Sequence, residues 1–100
     1  MREASSAGTR ELALAILKQA VKDMRGKGSP TQKERVHAVV FLGSNQASLW
    51  LDQTGLEHKS MLITLGWMNH AQTLLNDSRT KLAEPQRRVL QQGVNALTKN

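Results

Sequence analysis

Apolar residues recur along this 100-residue chain at spacings of three and four, and no stretch alternates cleanly over six or more positions. That is the period of helices with one buried face, so the pattern predicts an all-α protein. In the first run Ala13, Ile16, Leu17, Ala20, Val21 and Met24 share one stripe, with Leu12 and Leu14 widening it. Lys18, Lys22 and Arg25 lie on the other side. A first helix is therefore expected from about Arg10 to Met24. Thr9 can cap it, and Glu11 places a negative charge in the first turn, where it suits the helix dipole. Gly26 and Gly28 can end it by taking positive φ.

Ser29-Pro30-Thr31-Gln32 reads as the next start. Ser29 is the cap, Pro30 takes the first helical position, and Gln32 stands where a capping box takes Glu or Gln. The second helix reaches Leu42, with Val36, Val39, Val40 and Phe41 inward. Residues 38–42 are β-branched enough for a short strand, but no partner strand is visible and Gly43 closes the helical pattern. Ser44 and Asn45 cap a third helix, from Gln46 to about Thr54, which buries Leu49 and either Trp50 or Leu51. Gly55 stops it. A fourth helix begins near Glu57 and either continues past Gly66 or breaks there. Asn76-Asp77-Ser78 reads as a loop. A last helix begins near Pro85, carries Val89, Leu90, Val94 and Leu97 on one stripe, and is weakened by Gly93. Residues 1–8 and 98–100 are expected to be flexible ends. The whole is one domain, a compact bundle of five or six short helices. A chain this short buries a modest share of its surface, so a homodimer is expected.

The centre of the chain has a grammar of its own. From Ala47 to Trp67 a short amphipathic helix ends at Gly55, an apolar residue follows at once, and a second helix opens on polar residues. That is the shape of a helix-turn-helix corner, with the glycine in the left-handed turn. Leu56 plugs the angle, Met61 and Leu65 face the first helix, and Trp50 anchors it. In a DNA reader the second helix enters the major groove and its first residues touch base edges. Here those are His58, Lys59 and Ser60, beside Glu57. Leu62 and Ile63 follow; they lack hydrogen-bonding groups but can meet thymine methyls. The same two residues, extended by Trp67, make the alternative: an apolar face for a host protein or a second copy.

Charge shifts the balance. The net charge is +6 and it is uneven. Residues 1–35 hold eight basic and four acidic groups, residues 36–78 hold Lys59 against three acids, and residues 79–100 hold five basic groups against Glu84. The corner is thus the least basic part of the chain. A grip on double-stranded DNA must come from the flanks, through Lys18 and Lys22 on one and Arg87 and Arg88 on the other. With three aromatics in all, stacking on single strands is not expected.

Other chemistries find little to work with. The absence of cysteine excludes disulfides, thiolate metal sites and a cysteine nucleophile, and fits a reducing cytoplasm. His37, His58 and His70 are too far apart for a helical metal pair. No phosphate loop, hydrolase signature or cofactor motif occurs, so neither catalysis nor a cofactor or metal is expected. No apolar run is long enough to cross a membrane, and the first eight residues carry no signal core.

The order of these features resembles a class of small phage- and prophage-encoded helical proteins. The likeness runs from Glu11 to Gly66. It is carried by Ala15-Ile16-Leu17-Lys18-Gln19-Ala20-Val21-Lys22-Asp23-Met24, by residues 38–44 ending Phe41-Leu42-Gly43-Ser44, and by Thr54-Gly55-Leu56. It implies either a phage transcription regulator or a small protein that binds and disables a host machine. It supplies no functional residue.

Overall fold

The computed structural model describes residues 2–98, with side chains from residue 10 onward. Six helices follow in chain order: α1 (Arg2–Met24), α2 (Gln32–Leu42), α3 (Asn45–Asp52), α4 (His58–Leu65), α5 (Trp67–Asn76) and α6 (Glu84–Thr98). Among the described residues there is no strand, so the run at residues 38–42 is helical. The protein is the all-α bundle that the hydrophobic period predicts, with α2 at its centre, against α1, α3, α5 and α6.

Several boundaries differ from expectation. Helix α1 begins at Arg2, so Thr9 lies inside it and the backbone of residues 2–8 is helical. That segment holds no proline, and Ala4 and Ala7 are good helix formers. Met1, Lys99 and Asn100 lie outside the described residues. Gly26 and Gly28 take φ of 77° and 79°, as the end of α1 requires. The cap of α2 is Thr31 and not Ser29, which is left-handed at φ 54°. Thr31 wins because it closes both halves of a capping box. Its hydroxyl accepts the Glu34 N–H at 3.1 Å, and the Glu34 carboxylate accepts the Thr31 N–H at 2.8 Å.

Helix α3 is capped by the Ser44 hydroxyl, as expected. Its inward face is Ala47 and Leu51, four residues apart, so Leu49 points away and is 66% exposed while Trp50 is half-buried. Leu12 is likewise exposed on α1, where Leu17, Ala20 and Met24 join the core cluster shared with α2 and Ala13 is buried.

Gly66 decides the rest of the architecture. At φ 68° it ends α4 in the left-handed region, and α5 starts at the next residue. The reversal turns Trp67 inward. Its ring is fully buried, and its indole N–H donates to the Val39 carbonyl at 2.8 Å. Two glycines make room for it. A Cβ on Gly43 would strike the six-membered part of the indole, with a further ring atom at 3.1 Å, and a Cβ on Gly93 would strike the same part of the ring. Gly93 is therefore the place where α6 closes onto Trp67. Met24, Leu42, Leu51 and Leu90 complete the fully buried set of large side chains.

Candidate functional site

Helix α4 follows the Gly55 turn, where φ is 79°. Its N-cap Glu57 makes no side-chain cap bond; instead its carboxylate accepts from the Ser60 hydroxyl at 2.7 Å. His58 is half-buried, with Nε2 2.6 Å from the Leu42 carbonyl oxygen. A carbonyl only accepts, so Nε2 carries the hydrogen and donates it. His58 thus braces the first turn of α4 against the end of α2. Of the three residues expected at base edges, Lys59 and Ser60 are exposed and His58 serves the fold.

The apolar partner face does not form. Leu62 is 4% exposed and Trp67 is fully buried, whereas Ile63 is 62% exposed. Breaking the helix at Gly66 rather than continuing it rotates Trp67 away from Ile63 and into the core. Leu62 joins the same core cluster. Ile63 alone of the three is accessible.

The flanking cations fare differently. Lys18 and Lys22 are exposed at positions i and i+4 of α1, and Arg25, exposed directly after its last residue, bonds back to the Val21 carbonyl and continues the same face, over about 10 Å in all. The Gly26–Gly28 turn then brings α2 back beside them. A Cβ on Gly26 would lie 3.9 Å from the Arg35 guanidinium carbon, and one on Gly28 would lie 3.5 Å from Cε of Lys22. His70, half-buried on α5, feels the same charges: burial holds its pKa below the ordinary value, and Arg35 and Arg25 depress it further. Cations from α1, from the turn at Lys27 and from α2 therefore meet at one corner. Arg87 and Arg88 are exposed in the first two turns of α6, a helix packed on α5 and α2, whereas α1 packs on α2 and α3.

Arg35 is the member of this corner that hydrophobic periodicity passes over. The signal for it is the short connection. A seven-residue link makes consecutive helices neighbours, so charges closing α1 and opening α2 are brought together.

A groove between α1 and α2 holds Asp23, Glu34 and His37 beside Ile16 and Phe41. Its carboxylates already have partners, Glu34 at Thr31 and Asp23 at the Gln19 amide, 3.0 Å away. Among the described residues no three His, Cys, Asp or Glu gather as a metal ion needs. None of the described helices is long and apolar enough to cross a membrane. Comparison of the chain with protein families, with curated proteins and with solved structures finds no match.

Proposed function

We propose that this chain is a small nucleic-acid-binding regulatory protein that holds double-stranded DNA chiefly by its phosphate backbone. The observation that carries the reading is the basic corner of Lys18, Lys22, Arg25, Lys27 and Arg35, all exposed and drawn from two helices and the turn between them. Phosphate contacts of this kind position a protein on a duplex without reading its sequence. In this reading α3, the Gly55 turn and α4 act as a helix-turn-helix corner, and Lys59 and Ser60 supply what base discrimination there is. The resemblance to phage helical proteins supports a regulator of phage type.

Binding of mixed-sequence duplex DNA at two salt concentrations is the test. Each neutralised phosphate contributes about −0.9 to the slope of log K against log salt. Five contacts predict about a 500-fold loss of affinity between roughly 50 and 200 mM salt. No binding at the lower concentration overturns the reading.

A further inference from the structure

A second group of cations lies away from that corner, and it has the form of a cleft. The first half of α2 makes one wall with Lys33 and His37. The loop before α6 makes the other with Arg79, Thr80 and Lys81, and Gln86 closes it from the first turn of α6. The cleft holds about 420 Å³, room for a phosphate group with part of what it is attached to. No carboxylate is among its lining residues.

The two walls come from opposite ends of the chain. Lys33 belongs to the basic flank of residues 1–35, and Arg79 and Lys81 to the basic flank that opens at residue 79. Folding brings these two flanks together across the start of the central segment, which contributes Val36 and His37 to the lining. The walls are tied together, because the Gln32 amide donates to the Thr80 hydroxyl oxygen at 3.3 Å. The loop is shaped from behind by Asp77, whose carboxylate accepts the Arg79 N–H at 2.9 Å and the Thr80 hydroxyl at 3.0 Å. Those bonds hold the Asp77 carboxyl below its ordinary range, so it keeps its charge and its grip on the loop as the pH falls. Arg79 and Lys81 are two residues apart on a loop held at both ends, and both are exposed.

We propose that this cleft is a phosphate-binding site, with Arg79, Lys81 and Lys33 as the charged contacts and Gln86 as a neutral donor. Arginine offers a planar fork that matches two phosphate oxygens, and lysine adds point charge. A carboxylate ligand, with its single charge, makes poorer use of three cations. The phosphate can be part of a nucleic-acid backbone or of a free phosphate compound. The first source rests on the function proposed above; the site itself does not.

Inorganic pyrophosphate and a short duplex DNA are the two probes, each titrated into the full chain and followed through backbone amide signals. Pyrophosphate is expected to shift Lys33, Thr80 and Lys81 saturably, and the double variant Arg79→Gln/Lys81→Gln is expected to weaken it at least about tenfold. Both side chains are exposed, so an unchanged thermal melt confirms that the variant is folded. If pyrophosphate leaves the cleft amides unmoved at millimolar concentration, or shifts them equally in the variant, the site is overturned. Where the site holds, the duplex arm identifies its source. A duplex weakened by the variant makes the ligand a nucleic-acid backbone, and one bound equally well makes it a free phosphate compound. Pyrophosphate binding with no duplex binding leaves the phosphate site standing and removes the nucleic-acid reading.

Discussion

At Gly93 two effects of glycine oppose one another. In the interior of a helix, replacing Gly by Ala ordinarily stabilises by about 1 kcal/mol. Here the added methyl meets the Trp67 ring, with further ring atoms at 2.8 and 3.3 Å. A rigid indole buried on all sides cannot give way cheaply, and overpacking costs about 1–3 kcal/mol. Gly93→Ala is therefore expected to lower the melting temperature by several degrees where helix propensity alone raises it; a rise would show that α6 does not close on Trp67. His70 gives a second test at this scale. Its pKa is lowered by burial and then by Arg35 and Arg25, so the unfolded chain takes up a proton before the folded one does. Stability is then expected to fall as the pH drops through about 6.5 and to go on falling until the depressed native value is passed. Urea midpoints at about pH 7.5 and 5.5 should separate in the native protein and draw together in His70→Gln. The sequence shows neither relation. A glycine in a helical stripe reads as a weakness, and a lone histidine reads as surface or half-buried with no sign of which charges face it, until the partner is known.

Between elements, the informative residue is Gly66. The alternation of apolar and polar positions is nearly the same whether α4 and α5 are one helix or two, so periodicity leaves the break open. What decides it is φ 68°, a value that costs other residues about 1–2 kcal/mol. Nothing lies within 4 Å of the Cβ position at Gly66, so the cost there is backbone alone. Gly66→Ala should lower stability by about that amount, and Gly66→Asn by less, since Asn tolerates the left-handed region. Equal losses in thermal unfolding would point to a packing cause instead. The same ambiguity explains the partner face. Leu62, Ile63 and Trp67 form one surface on a continuous helix, and the break turns Trp67 away from Ile63. Helix type and order were legible because they depend on periods of three and four. The α2 cap lies two residues beyond Ser29 because Ser29 and Thr31 both open plausible boxes, and only Glu34 tells them apart.

For the whole molecule, the uneven charge was legible in the sequence, but its arrangement was not. Counting residues divides the cations into two flanks; folding divides them differently, into a corner at the α1–α2 turn and a cleft that joins both flanks. These groupings make different predictions. Reversing two charges at the corner, Lys22→Glu with Arg25→Glu, removes two phosphate contacts and sets two anions in their place. The salt slope of duplex binding should flatten by about 2, and affinity at low salt should fall by at least about a hundredfold. Both residues are exposed, so the melting temperature should move little. The change also removes one of the cations that depress His70, so its pKa should rise toward the ordinary value, visible in the ring proton signals. The two readouts together are decisive. A raised His70 pKa with unchanged DNA affinity shows that the corner is built as described but does not touch the duplex. A raised pKa with the flattened slope places the phosphate backbone against it.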